Sequence, residues 1–221
     1  MEDLGIQEVM EAEIIRRPTN TRPIIWQISL NGKRFIVKDY RKNGFFFRNT
    51  IGRLLIWREE KAYRKLSRIK GIPKFYGNIK GLALVIEKIE GVRLGKIKKG
   101  TPLPKSFFDQ LESTVRRFHK MGVVHCDLKK ANNIILGTDG RPYIIDWGAA
   151  IHKEEFDLPV LRLIYKRFLQ DDNLAIIKHK LRFAPQLVTE RERRLYEYKS
   201  PFERLIRKIR DFLLPIFQKI V

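Results

Sequence analysis

The chain has 221 residues, 43% of them hydrophobic, and a formal net charge of +21: enough length for one sizeable core or two small lobes sharing a cleft, and a charge that favours a polyanionic partner such as nucleic acid, a phosphorylated substrate or an anionic membrane surface. No apolar run approaches the roughly 20 residues that cross a bilayer, and the single cysteine, Cys126, excludes an internal disulfide. With an acidic start, "MEDLGIQEVM", that lacks the basic-then-apolar order of a signal peptide, these features lead us to expect a cytoplasmic protein in a reducing compartment.

In chain order, "IIWQISLNGKRFIVKDY" (24–40) alternates apolar and polar residues on both sides of Asn31-Gly32. That dipeptide favours a type I′ turn, so a β-hairpin is expected, with Lys38 closing its second strand. "NTIGRLLIWREEKAYRKLSRIKG" (49–71) reads as a helix with Leu55, Glu59, Ala62, Tyr63 and Leu66 on one face. Glu59 is the acid inside that apolar stripe. Glu60 lies about 100° round the helix, is expected to face water, and is the alternative should the phase be miscounted. "KFYGNIKGLALVIEKIEG" (74–91) predicts a second hairpin, connected through Gly77 to Gly81, with a continuously apolar return strand Leu82 to Ile86. Residues 91–104 are basic, contain glycine and proline, and lack periodicity. They are the expected boundary between an N-lobe at 1–90 and a C-lobe at 91–221.

"SFFDQLESTVRRFHKMG" (106–122) predicts a helix, with a capping box at Ser106 and Asp109, a stop at Gly122, and Phe108, Leu111, Val115 and Phe118 facing inward. The loop "HCDLKKANN" (125–133) follows, then a hairpin turned at Asp139-Gly140, then "DWG" at 146–148. From Leu158 onward the chain reads helical and basic. Its last segment, "SPFERLIRKIRDFLLPIFQKIV", spaces its apolar residues by threes and fours with Arg204, Arg207, Lys208 and Arg210 opposite. That pattern suits either a helix in an anionic membrane interface or one packed on the C-lobe, kinked at Pro215.

Acids at strand ends are costly unless they meet a cation. Lys38 at a strand end, Glu59 on an inward helix face, Asp127 and Asn132 in one loop, and Asp146 in a turn make a set suited to moving a phosphoryl group. A lysine neutralises phosphate oxygens, a glutamate holds the lysine, an acid and an amide offer hard oxygens to magnesium, and a second acid accepts a hydroxyl proton.

"HCDLKKAN" resembles the H-R-D-L-x-x-x-N catalytic loop of protein kinases, "DWG" their D-F-G, and "FIVK" their V-A-I-K strand, in the right order over roughly residues 24–150. The resemblance implies an α+β, bilobal protein-kinase-like fold, with a small β-rich N-lobe carrying one helix and a reduced helical C-lobe. It implies ATP and Mg2+ as cofactors. By position it makes Lys38 the phosphate lysine and Glu59 its partner, places adenine against Glu87 to Ile89, makes Asp127 the base with Lys129 balancing charge, and makes Asn132 and Asp146 the metal ligands. His125 then braces the loop, Trp147 is packing, and Cys126 is inert.

Two departures stand beside this. No G-x-G-x-x-G precedes Lys38; "RRPTNTRP" (16–23), without glycine, occupies that place. No A-P-E or long activation segment follows Asp146. A compact kinase of this kind resembles the bacterial lipopolysaccharide core-sugar (Kdo or heptose) kinases, to whose basic passage after the phosphate lysine "VKDYRKNGFFFRN" is similar, and also the RIO-type kinases and ATPases. The expected reaction is transfer of the γ-phosphate of ATP to a hydroxyl. The acceptor is expected to be a sugar of an anionic, membrane-associated glycolipid, with peripheral contact at the inner face of the membrane. The alternatives are a serine/threonine hydroxyl of a protein and an RNA- or ribosome-associated ATPase.

Overall fold

The computed structural model describes residues 11–198, so the amphipathic segment at 202–220 lies outside the described residues. β1 (Glu11–Arg16), β2 (Ile24–Leu30), β3 (Lys33–Asp39), β4 (Phe75–Ile79) and β5 (Ala83–Glu87) form an antiparallel sheet in the order β1-β2-β3-β5-β4. The β2–β3 hairpin turns where expected. Asn31 (φ 50°) and Gly32 (φ 72°) both have positive φ, and the register runs Ile24 to Asp39 through Leu30 to Lys33. β1 was not foreseen. All six of its residues are exposed, so no inward–outward alternation marks it.

The helical run after β3 starts earlier than its periodicity suggests. A short turn α1 (Phe45–Phe47) leads into a π-helical stretch, Arg48–Gly52, and then α2 (Arg53–Leu66). Gly52 sits 3.3 Å, measured from an ideal Cβ position, from the Tyr40 side chain, so this close approach leaves little room for a larger residue. Ile56, Glu59, Ala62, Tyr63 and Leu66 are the buried face of α2. Glu60 does not simply face water: it is partly buried, bonded to Arg64 (2.7 Å) and to the Asn78 amide.

Residues 91–104 are not a plain connection. β6 (Gly91–Arg93) pairs with β8 (Ile134–Gly137), which pairs with β9 (Pro142–Ile144) in a second small sheet. α3 (Lys105–Lys120) begins two residues earlier than the capping reading requires. Pro104 is its N-cap, with no side-chain cap bond, and Asp109 is held instead by Lys105 at 2.7 Å. The capping box among the described helices is at Thr189–Glu192, opening α5 (Glu190–Glu197). Gly122, at φ 73°, does end α3 as expected, since a left-handed stop suits glycine. β7 (Val123–Val124) pairs with β10 (Ile151–His152), and α4 (Pro159–Phe183) closes the helical part.

The main core runs between the lobes. Ile56, Tyr63 and Leu66 of α2 share one buried cluster with Leu84 and Ile86 of β5, Phe107, Phe108, Leu111, Val115 and Phe118 of α3, and Trp147. The packing of α2 on both parts fixes the cleft. Among the described residues no helix is long and apolar enough to cross a membrane.

Candidate active site

β3 alternates faces, so Val37 points into a cluster with Ile28, Ile79, Ala83 and Val85 while Lys38 points the other way, toward α2. The Lys38 ammonium donates to both Glu59 oxygens (2.8 and 2.9 Å) and to Asp146 Oδ1 (2.7 Å). Glu59 is 3% exposed. Burial alone would lower the Lys38 pKa, but the two carboxylates outweigh it and hold the lysine charged above its ordinary value. Burial raises the Glu59 pKa, opposed by Lys38. Asp146, with its side chain half exposed, is drawn down to about 2, chiefly by Lys38. It is a carboxylate at any physiological pH.

Two residues of the site adopt left-handed backbone conformations that cost non-glycine residues about 1–2 kcal/mol: Cys126 (φ 65°) and Asp146 (φ 68°). The strain at Cys126 has a visible restraint. The buried carboxylate of Asp172, on α4, accepts the main-chain N–H of His125 at 2.8 Å and of Cys126 at 3.2 Å, and meets His119 Nε2 at 3.1 Å. The His125 ring links the two functional turns. Its Nε2 donates to the Ile145 carbonyl (3.0 Å), and its Nδ1 accepts from the Asp127 amide (3.3 Å). Trp147 is fully buried against Phe118 and His125 with its indole N–H on the Ile144 carbonyl, a packing residue. Burial raises the pKa of Cys126, the reverse of an activated thiol.

The loop places its lysines and amides differently from the motif count. Asn132 is exposed, and its Oδ1 lies over Gly95 so closely that a Cβ there would clash. Asn133 is the buried amide. Its Nδ2 donates to the Asp127 carbonyl (3.0 Å) and to Asp127 Oδ2 (3.1 Å). Lys129 turns outward to Asp171 on α4 (2.8 Å), and Lys130 is the lysine at Asp127 Oδ2 (2.8 Å). Glu87 is tied to Lys74 through both its main chain and its side chain. Its amide donates to the Lys74 carbonyl and its carboxylate accepts the Lys74 amide, while the Lys88 amide is held by the Arg34 carbonyl. The Ile89 amide has no backbone partner among the described residues.

The β1–β2 connection at 17–23, which stands where a glycine-rich loop would lie, is tied down. The buried Asn43 amide donates to the carbonyls of Thr19 (2.7 Å), Asn20 (3.3 Å) and Arg22 (3.1 Å). α2 is likewise bolted to the segment after Asp146. Arg58 donates to the Ala150 carbonyl (2.9 Å) and pairs with Glu155 (3.2 Å), Lys61 pairs with Glu155 (3.0 Å), and Lys65 with Glu154 (2.6 Å).

A Lys–Glu–Asp cluster under a five-stranded sheet, facing a loop that presents an acid and an amide, defines a protein-kinase-like chain. The comparisons agree. The RIO domain family model matches residues 31–162, and the chain belongs to that family. The serine/threonine-protein kinase PknD of Chlamydia trachomatis is 44% identical over 75 residues, 33% of this chain but 7% of its own length. Serine/threonine-protein kinase D of Synechocystis sp. is 32% identical over 84 residues, 38% of this chain and 17% of its own. The chain therefore spans only a small part of these relatives. Two structures of Rio2 kinase from Chaetomium thermophilum, one of them an ADP/Mg2+-phosphoaspartate complex, superpose with TM-score 0.60 over 94% of this chain. They are 16% and 17% identical to it, and it covers 63% and 65% of theirs, a likeness that establishes the bilobal kinase fold.

Sequence reasoning missed Asp172 and Lys130, and read Asn133 only as satisfying backbone groups, which its bond to the Asp127 carbonyl in part does. An acid pair, Asp171-Asp172, inside a basic helix was the available signal for the first. For the others, the doublets Lys129-Lys130 and Asn132-Asn133 were the signals.

Proposed function

We propose that this protein is an ATP-dependent phosphotransferase. The carrying observation is the assembled Lys38–Glu59–Asp146 cluster, whose Asp146 turn is joined to the Asp127 loop through the His125 ring. Lys38 holds the α/β-phosphates, and Glu59 holds Lys38. The Glu87 main-chain carbonyl and the Ile89 amide receive adenine. Two oxygens suit a magnesium ion: the ionised Asp146 carboxylate, one of whose oxygens is not used by Lys38, and the Asn133 carboxamide oxygen, since its nitrogen is already engaged by Asp127. Magnesium bound there would neutralise phosphate charge. Asn133 and Lys130 fix Asp127 Oδ2, leaving Oδ1 to orient the acceptor hydroxyl and take its proton.

For the acceptor we favour a sugar hydroxyl of an anionic, membrane-associated glycolipid of the lipopolysaccharide-core kind. The support is the short passage from Gly148 to α4. Residues 149–158 hold only β10 and a 3-10 turn, which leaves little platform for an extended peptide. The +21 charge suits an anionic acceptor. A protein serine or threonine is the second reading, favoured by the likeness to the PknD kinases. The test is transfer from γ-labelled ATP to a panel of glycolipids, free sugars and proteins, with Asp127→Asn as the control. Label on a glycolipid that Asp127→Asn loses supports the first reading. Label only on protein replaces it. ATP hydrolysis without any acceptor, stimulated by RNA, replaces both.

A further inference from the structure

Between Asp39 and Glu59 the chain carries five cations and no acid; Arg41 pairs with Asp39 and Arg58 with Glu155, and the others are Lys42, Arg48 and Arg53. At the head of that stretch two large apolar rings stand in water: Phe45 is 64% exposed and Phe46 83%. The guanidinium of Arg48 lies 5.5 Å from the Phe45 ring centre. Farther along the same helical run Leu54 and Trp57 are also half exposed, with Lys61 over the Trp57 ring at 5.3 Å.

The site is built rather than loose. Asn43, two residues before Phe45, clamps the Thr19–Arg22 turn through three carbonyls, so the exposed Arg17 and Arg22 are held to the loop that carries Lys42 and the two rings. Asn49 and Thr50 donate back to the carbonyls of Phe45 and Phe46 at 3.0 and 2.7 Å, fixing the turn from which the rings project. The result is an aromatic tip with a collar of cations.

We propose that this face is a membrane-docking surface that inserts Phe45 and Phe46 into the interface of an anionic bilayer. Phenylalanine rings bury at the boundary between headgroups and acyl chains, and cations beside them meet acidic lipids. Stacked nucleobases are the other polyanion to weigh. The two rings stand edge to face at 86° and offer no shared flat platform, which favours lipid over a single nucleic-acid strand. The surface bears on the glycolipid reading without depending on it, because vesicle binding and phosphotransfer are separate measurements.

The test is sedimentation of the full chain with vesicles of phosphatidylcholine and phosphatidylglycerol, against phosphatidylcholine alone, at low and high salt. Wild type should pellet with the anionic vesicles and be released by salt. Phe45→Ser/Phe46→Ser should weaken binding by roughly tenfold or more with melting temperature and ATP binding unchanged, since both rings are already in water. Val92→Ser, an exposed apolar residue elsewhere, should bind like wild type. Arg22→Glu/Lys42→Glu should weaken the salt-sensitive part without touching the rings. Failure of wild type to pellet at low salt overturns the proposal. Full binding by the double serine variant also overturns it.

Discussion

Asn133 donates through one nitrogen to both the carbonyl and the carboxylate of Asp127, at 3.0 and 3.1 Å, whereas its neighbour Asn132 faces solvent over Gly95. One loop thus contains an amide that shapes the candidate base and an amide that does not. Asn133→Ala should lower turnover by about a hundredfold or more, because it removes a positioning bond and an oxygen donor together. Asn132→Ala should stay within a few-fold of wild type. Initial rates at saturating ATP compare them. A larger loss in the Asn132 variant reverses the assignment.

Asp172 holds the strained loop from below. Asp172→Asn offers only one good acceptor where two main-chain N–H groups and His119 converge, so the Cys126 backbone should relax. The expected outcome is a lowered melting temperature and a large fall in turnover, with ATP affinity changed much less. Isothermal titration with nucleotide beside single-turnover rates separates the two effects.

Lys38→Met strands the buried Glu59 carboxylate. Loss of one member of a buried pair costs about 3–5 kcal/mol, so this variant should melt well below wild type as well as bind ATP weakly. Adding Glu59→Gln should restore much of the stability and none of the ATP binding. Urea unfolding checks the first effect and a nucleotide thermal shift the second.

His152 on β10 is fully buried, and both its ring nitrogens lack a partner among the described residues. Burial, with Lys61 nearby, draws its pKa from 6.5 down to about 4. The unfolded chain therefore binds a proton that the folded chain refuses. Stability should be full above pH 6.5 and fall progressively as pH drops toward 4, by up to roughly 3 kcal/mol. His152→Phe should flatten that limb in urea titrations run between pH 4 and 7. An unchanged slope assigns the acid sensitivity to another group.

Much of this architecture is legible in the sequence because it is local. Asn31-Gly32 states its own turn, and the inward face of α2 follows from helical spacing once Glu59 is accepted among apolar neighbours. Other parts depend on what lies opposite. β1 carries no alternation because neither of its faces is covered. Ser106 and Asp109 satisfy the capping pattern, yet the helix opens at Lys105, whose ammonium takes the aspartate. The motif count points to Asn132, but a 3-10 turn at Ala131–Asn133 brings the next residue to Asp127. The role of Asp172 belongs to the packing of α4 beneath the loop: the acid pair Asp171-Asp172 marks the place but not the main-chain groups that it meets.

The ties between α2 and residues 150–155 bear on control. In a chain whose lysine–glutamate pair forms only part of the time, nucleotide affinity is reduced by the fraction of molecules that are ready, and a regulator acts by raising that fraction. Here Arg58, Lys61 and Lys65 hold the helix in place with no phosphate required. A regulator of that kind has little left to gain. Glu155→Gln, which loosens two of these ties, should create the missing latitude and make nucleotide affinity newly sensitive to salt. The native chain should show a nucleotide affinity that salt changes little.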